Sequence, residues 1–145
     1  MSADFRRRRA RVAAALAALT LAGCGGTYDS TVAGVVSVDG KPLSVGLVTF
    51  DPQETGSSAY GVIDADGMYT VHTGRKEGLA AGDYGVSVTA YEPSGSPGPQ
   101  GGPPPMGKAL VAERYRSPTT SGLKFTVTPG DNRIDLKLAT EPSDK

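Results

Sequence analysis

The stretch "TVAGVVSVDGKPLSVGLVTF" (Thr31 to Phe50) decides the fold class that the sequence predicts. Its first eight residues are rich in β-branched side chains, which favour extended strands. The pair Asp39-Gly40 follows directly and is the strongest short signal for a hairpin turn. In the second half, Val48 and Phe50 fall on one face and Thr49 on the other, as in a half-buried strand. The stretch therefore predicts a β-hairpin whose two halves pair with each other.

Similar signals recur through the rest of the chain. Five further runs alternate apolar with polar residues, and turn-forming residues separate them: Ser58 to Asp64, Met68 to Thr73, Tyr84 to Thr89, Leu123 to Thr128 and Arg133 to Leu138. In the second of these runs, Tyr69 and Val71 share one face, while Met68 and His72 fall on the other. With the two halves of the first hairpin, this gives seven strands. Antiparallel strands with one apolar face predict a small sandwich of two sheets.

One segment breaks this regular spacing. Residues 91–120 contain seven of the eleven prolines and five glycines. An irregular segment of this length within a small domain is usually a functional loop or a mobile one. We expect 97–105 to be a mobile, polyproline-like spacer and "ALVAERY" (Ala109 to Tyr115) to pack back as a short turn or one helical turn. The predicted domain is thus a β-sandwich over 31–140 with a Pro/Gly-rich loop at about 91–120.

The N-terminal region has the composition of a secretory signal. Five arginines lie within the basic segment from Arg6 to Arg11, and an apolar run of ten residues follows at Val12 to Leu21. As a helix this run would reach only about 15 Å, half of a ~30 Å hydrocarbon core. It is apolar on all sides, unlike an amphipathic helix of a folded domain. These features predict a cleaved signal peptide over residues 1–23.

The residues "LAGC" (Leu21 to Cys24) resemble a bacterial lipobox, the processing motif of lipoproteins. The resemblance implies cleavage between Gly23 and Cys24, a diacylglycerol on the Cys24 thiol, and a new amino terminus open to acylation by fatty acids such as palmitate. Two or three acyl chains, at about 0.8 kcal/mol per buried CH₂, anchor a protein stably, whereas one chain does so only marginally. Residues 24–30 would then be a flexible tether. The predicted location is the bacterial cell envelope, with the domain facing the periplasm or the exterior.

Other roles for this thiol find less support in the sequence. Cys24 is the only cysteine of the chain, so it has no partner for an intrachain disulfide. The flanking glycines supply neither a base nor a cation to activate a nucleophile. A lipid attachment point is therefore the preferred interpretation.

The charge distribution argues against nucleic acid as a partner. The formal net charge of the whole chain is zero, but residues 1–23 hold five arginines and one acid. The segment from residue 24 onward consequently has ten basic and fourteen acidic residues, a net charge of −4. Nucleic-acid-binding domains normally carry clustered basic residues.

The order of motifs resembles the carboxypeptidase regulatory-like, or transthyretin-like, domains of many bacterial lipoproteins. The resembling pieces are "VAGVVSVDGKPLSVGLVTFDP", "GVIDADGMYTV", "GLAAGDYGVSV" and "RYRSPTTSGLKFTVTPGDNRIDLKL". The resemblance implies a seven-stranded antiparallel Greek-key sandwich of the prealbumin type, in a class of domains that are usually non-catalytic accessory, stabilising or binding modules. Related hydrolases of the purine pathway use at least two histidines and a terminal Tyr-Arg-Gly-Ser tail. This chain has one histidine and an internal "YRSP" (Tyr115 to Pro118).

A weak candidate for a metal site is "DADG", in which Asp64 and Asp66 precede Gly67. Alternating carboxylates of this kind begin calcium-binding loops, which also require a bidentate Glu at the twelfth position. That position is occupied by Arg75. We therefore predict a hairpin turn in which Asp accepts backbone hydrogen bonds and Gly adopts positive φ, with no bound metal.

These observations predict a non-enzymatic, lipid-anchored envelope module with an accessory, structural or binding role. Its partners would be the membrane, through the lipid, and an envelope protein or glycan, with no cofactor apart from the covalent lipid. One alternative is a carbohydrate-binding module, for which the candidate stacking residues are Tyr60, Tyr69, Tyr84 and Tyr91. Packing in the core and across strands is the simpler role for these tyrosines. The other alternative is a metal-dependent envelope hydrolase, for which the candidates are Asp64, Asp66, His72 and Glu77.

Overall fold

A computed structural model describes residues 28–95, 101–102 and 105–140. The predicted signal peptide, the cleavage site at Gly23 and Cys24, and residues 25–27 of the predicted tether lie outside the described residues. Over the described ranges the chain is all-β, with one short 3₁₀-helix at Glu113–Arg116. No helix among these residues has the length and hydropathy needed to cross a membrane.

The described residues form eleven strands, several of them only two or three residues long. In chain order they are β1 (Ser30–Val38), β2 (Lys41–Pro42), β3 (Gly46–Pro52), β4 (Ala59–Ile63), β5 (Met68–Thr70), β6 (His72–Thr73), β7 (Lys76–Glu77), β8 (Gly82–Thr89), β9 (Leu123–Val127), β10 (Gly130–Arg133) and β11 (Leu136–Leu138). The first sheet contains β1, β2, β5, β10 and β11. The second has the order β7-β6-β4-β3-β8-β9. The prediction of two sheets is confirmed, but the strand count differs from seven.

Strand β1 is the centre of the first sheet. Along one edge it pairs antiparallel with β2 and β5, and along the other it pairs parallel with β10 and β11. The prediction of a purely antiparallel sandwich was therefore wrong. The parallel pairs arise because the turn after β9 carries the chain from the second sheet to the first, where it runs in the direction of β1.

The first hairpin is shorter than predicted. Asp39 and Gly40 have φ values of 50° and 81°, as in the two-residue turns that favour hairpins. Lys41–Pro42 then pairs with β1, and the Leu43 N–H donates to the carbonyl of Val36 at 2.9 Å. Beyond Leu43 the chain passes to the second sheet, where β3 pairs with β4 and β8. The prediction that the two halves of the Thr31–Phe50 stretch pair with each other was wrong beyond Leu43.

The parallel ladder on β1 is interrupted between β10 and β11. A Cβ atom placed on Gly34 would lie 1.9 Å from the carbonyl oxygen of Ile134. That oxygen accepts a 2.6 Å hydrogen bond from the Tyr69 hydroxyl, and Asp135 Oδ1 accepts one of 2.9 Å from the backbone N–H of Val35. Side chains therefore satisfy backbone groups that the interrupted ladder leaves without strand partners. Burial, with a smaller contribution from the Asp135 carboxylate, raises the pKa of Tyr69 far above its ordinary value, so the hydroxyl remains a donor.

The two sheets enclose a single apolar core. The ring of Phe50 lies 6.3 Å from that of Tyr69 and 6.1 Å from that of Tyr84, measured between centroids. The predicted face of the Met68–Thr73 run is confirmed, because Tyr69 and Val71 are buried while Met68 and His72 are exposed.

The Pro/Gly-rich segment is closed at its base. Glu92 N–H donates to the carbonyl of Lys108 (2.8 Å), and Leu110 N–H donates to that of Ala90 (2.9 Å). Beyond this point Val111, Ala112 and Tyr115 join the core, which confirms that "ALVAERY" packs back as a turn. The following Ser121 hydroxyl donates to the carbonyl of Val86 at 2.5 Å. Strand β8 is therefore buried on both faces from Tyr84 to Val88, including Ser87.

Replacing Tyr69 with Phe tests how much the interrupted ladder contributes to stability. The change leaves the buried Ile134 carbonyl without its donor, and we expect the free energy of unfolding to fall by about 1–3 kcal/mol. Urea denaturation would measure this. The matched control is Tyr60→Phe, whose ring is 47% exposed and whose loss of a hydroxyl should change stability by less than about 0.5 kcal/mol. Equal effects of the two substitutions would contradict the assigned role of Tyr69.

Candidate functional site

The chain enters the sandwich at Ser30, the first residue of β1. Ser30 is fully buried, its N–H donates to the carbonyl of Leu79 (3.3 Å), and its own carbonyl accepts from Leu79 N–H (2.9 Å). Although the tether was predicted to extend to this residue, Ser30 already belongs to a sheet. Any flexible segment after Cys24 therefore ends by Asp29.

The residues of "DADG" form the predicted turn between β4 and β5. Asp64 Oδ1 accepts hydrogen bonds from the backbone N–H groups of Asp66 and Met68, both at 2.9 Å. Gly67 closes the turn by donating to the Asp64 carbonyl at 3.0 Å, and its φ is +83°. The Asp64 carboxylate thus has a structural role in the turn, as the sequence predicted.

Of the other candidates for metal or catalytic chemistry, His72 lines the same surface groove as Asp64, and Glu77 does not. His72 Nδ1 is 3.1 Å from the carbonyl of Thr70, two residues away, and the ring is exposed. Glu77 is an exposed residue of β7. In the described part of the chain, no group of three or more His, Cys, Asp or Glu residues is arranged to hold a metal ion. Of the four candidates, the structure brings Asp64 and His72 to one groove, whose lining includes neither Asp66 nor Glu77.

The Met68–Thr73 run changes sheets, and this creates a concave corner on the surface. Met68 to Thr70 pair with β1, Val71 N–H donates to the carbonyl of Val32 (2.9 Å), and His72 returns to pair with Tyr60 of β4. Between the diverging strands lies a groove of about 540 Å³. The side chains that line it come from β4, β5, β6 and the turn that follows β4.

We define the corner patch as Tyr60, Val62, Met68 and His72, which line this groove. Val62 is 73% exposed, Met68 51% and Tyr60 47%. Leu47, which pairs with Val62 across β3 and β4, is a further exposed apolar side chain beside the patch. Clustered apolar side chains on the surface of a small domain are typical of an interaction site.

Sequence reasoning placed Met68 and His72 on an outer face but did not identify the corner patch. The signal was present in "AYGVI" (Ala59–Ile63), where the outward positions are Tyr60 and Val62. Because the inward positions of β4 are also apolar or glycine, its alternation does not mark Val62 as exposed. Only the departure of β5 to the other sheet uncovers it.

The four tyrosines do not form one stacking surface. Tyr69 and Tyr84 belong to the core, which confirms the simpler role predicted for them. The Tyr84 hydroxyl donates to the carbonyl of Ala80 at 2.8 Å, and burial raises the pKa of Tyr84. Tyr91 lies at the base of the Pro/Gly-rich segment, where its hydroxyl accepts from Arg116 Nη1 at 3.2 Å. Of the four, only Tyr60 is exposed in the described structure.

Comparisons with known proteins give one distant likeness. No family model matches the sequence, and no curated protein matches it. Among solved structures, the chain is similar to a DUF3823 family protein from Parabacteroides merdae, with a TM-score of 0.42 and 14% sequence identity. The match covers 78% of this chain and 47% of that protein, so the chain spans about half of its length. A likeness this distant transfers no function to this chain.

The two carboxylates of the β4–β5 turn should differ in their effect on stability. Asp64→Ala removes the acceptor of two backbone hydrogen bonds, and we expect the free energy of unfolding to fall by about 1–2 kcal/mol. Asp66→Ala, the control, should have little effect, and millimolar calcium should leave the melting temperature of the wild type unchanged. A rise of several degrees with calcium that Asp66→Ala abolishes would instead establish a metal site.

Proposed function

We propose that the chain is a lipid-anchored, non-catalytic module of the bacterial envelope, of the carboxypeptidase regulatory-like type, that binds an envelope protein. The observation that carries the binding role is the corner patch. Its apolar side chains lie on adjoining strands at the surface of a sandwich whose other large apolar residues are mostly buried.

The corner patch is suited to a protein contact because of its composition. Burying a side chain such as Val62 or Met68 contributes about 1.5–3 kcal/mol relative to leaving it in water. A tyrosine beside such residues supplies a large contact area and a polar hydroxyl, a combination that is enriched at interfaces. The patch is therefore the best candidate for the centre of an interface.

The anchoring role is supported by the sequence and by where the sandwich begins. "LAGC" directly follows an apolar run of signal-peptide length. The first strand begins at Ser30, so only five residues separate it from Cys24. A lipid on Cys24 would thus hold the domain close to a membrane.

The non-catalytic role is supported by the positions of the polar candidates. The Asp64 carboxylate is engaged by two backbone N–H groups within its own turn. The His72 ring lies against a carbonyl of its own chain segment. Both residues line the same groove, but a general acid–base mechanism requires groups free to exchange a proton with the substrate, and Asp64 Oδ1 already accepts two backbone hydrogen bonds.

The anchoring role is tested by Cys24→Ser. We expect the wild-type chain to incorporate labelled palmitate and to sediment with membranes, because a thioether-linked diacylglycerol requires the thiol. The variant should lose the label and leave the membrane fraction. Identical fractionation of both chains, with no label in either, would refute the lipoprotein assignment.

The binding role is tested by a photo-crosslinking amino acid at position 62. We expect illumination of cells to give a discrete adduct, and Met68→Asp in the same chain to suppress it, because a charge at the interface is costly to bury. The control position is Glu113, whose side chain is 90% exposed on the 3₁₀-helix. Adducts of equal yield at both positions, or none at position 62, would show that the corner patch is not an interface.

A further inference from the structure

We propose that a second surface, centred on Gln53, binds a saccharide. Three adjoining depressions of about 450, 380 and 340 Å³ share Gln53 as a lining residue. They extend from the loop after β3, past the start of β8, to β9. We call this continuous surface the Gln53 groove. Saccharide binding at this groove would give the proposed binding module a ligand class, and it depends on neither the lipid anchor nor the corner patch.

Gln53 is held so that its side chain lies across β8. Its backbone N–H donates to the carbonyl of Asp83 at 2.9 Å. A Cβ atom placed on Gly85 would lie 2.8 Å from Gln53 Nε2 and 3.2 Å from Pro118 Cβ, so the glycine leaves the space that the carboxamide occupies. The hydrogen bonds formed among the described residues include none to this carboxamide. It can therefore offer two donor hydrogens and an acceptor oxygen to a ligand.

Both donors and acceptors surround this carboxamide. Asp83 Oδ1 accepts a 2.5 Å hydrogen bond from the Thr126 hydroxyl, which fixes the carboxylate and leaves Oδ2 available to a ligand. The Lys124 ammonium lines two of the three depressions, and the hydroxyl-bearing Ser57 lines the third. Each sugar hydroxyl both donates and accepts, so a surface carrying amide, carboxylate, ammonium and hydroxyl groups can satisfy several of them together.

Two aromatic residues line parts of the groove. Tyr28 lines the depression nearest the start of β1, and Phe125, which packs partly against the core, lines the one beside β9. The apolar faces of sugar rings can pack on aromatic rings, which provide contact area with little loss of conformational entropy. Tyr28 is therefore the candidate stacking residue of the groove.

The charges of the groove disfavour anionic ligands. Its lining carries the acids Asp51, Glu54 and Asp83 and the single base Lys124. A net negative groove repels phosphates, and hence nucleic acids and phosphorylated peptides. An apolar peptide is better matched by the corner patch. A neutral saccharide with many hydroxyl groups fits the balance of donors and acceptors.

The inference is tested by calorimetric titration of the full chain in detergent micelles. The free probes are maltohexaose, cellohexaose and chitohexaose. For the Cys24→Ser chain in detergent-free buffer, phosphatidylcholine vesicles with and without digalactosyl diacylglycerol test whether the sugar is presented by a lipid. We expect saturable binding of a free oligosaccharide or of the glycolipid vesicles. The Cys24→Ser chain should bind in the same way, so failure of the anchor would not be mistaken for failure of the groove.

Three variants assign the binding to the Gln53 groove. Gln53→Leu keeps the side-chain volume and removes the amide, and Tyr28→Ala removes one stacking ring. Each should weaken binding at least about tenfold without changing the melting temperature. Tyr60→Ala, an equivalent truncation on the corner patch, is the control and should bind like the wild type. The inference fails if no probe binds at millimolar concentration, or if both groove variants bind as tightly as the wild type.

Discussion

The close approach of Gly34 to Ile134 is the contact on which the architecture of this domain depends. At this point the backbone of the C-terminal segment lies where a side chain of β1 would otherwise be, 1.9 Å from the Cβ position. The approach interrupts the parallel ladder, and the Tyr69 hydroxyl and the Asp135 carboxylate hydrogen-bond to the backbone at the gap. Since unsatisfied buried polar groups destabilise a fold, these two hydrogen bonds compensate for the interruption of the ladder beside β1.

The same contact determines where surface features form. Tyr69 can reach the Ile134 carbonyl only because β5 joins β1 rather than continuing beside β4. The departure of β5 leaves the outward side chains of β4 without covering neighbours, and Val62 and Met68 become the exposed corner patch. The pairing of β5 with β1 in the first sheet thus produces the corner patch, which is the best candidate for an interaction surface. A substitution at Tyr69 would therefore affect both the first sheet and the corner patch.

The sequence predicts local features of this fold well. The Asp39-Gly40 turn, the "DADG" turn and the buried face of Tyr69 and Val71 all follow from residue type and alternation, and the structure has each of them. These features depend only on residues a few positions apart. Turn-forming residues and the alternation of apolar and polar residues are signals of that same short range.

The features that depend on distant residues are not visible in the sequence. The parallel pairing of β1 depends on residues about 100 positions away in the chain. Asn132 is an example: its amide bonds to Thr128, Gly130 and the carbonyl of Thr31, which fixes the crossing between the sheets. In the sequence it is one polar residue after a turn. Likewise, no sequence pattern distinguishes Gln53, whose side chain lies over Gly85 in the structure.

The two proposed surfaces lie at different distances from the point where the chain enters the sandwich. Tyr28 lines the Gln53 groove, and the four peptide units that separate it from Cys24 can extend at most about 14 Å. The corner patch is inclined relative to this entry point: Met68 pairs with Val35, five residues along β1 from Ser30, whereas His72 follows the residue that bonds to Val32, two residues along. At about 3.3 Å per residue, the Met68 end lies about 17 Å from Ser30 along the strand and the His72 end within about 7 Å. On the proposed anchoring, a saccharide in the groove would lie near the membrane surface, and the Met68 end of the patch would lie farther from it, accessible to a protein partner.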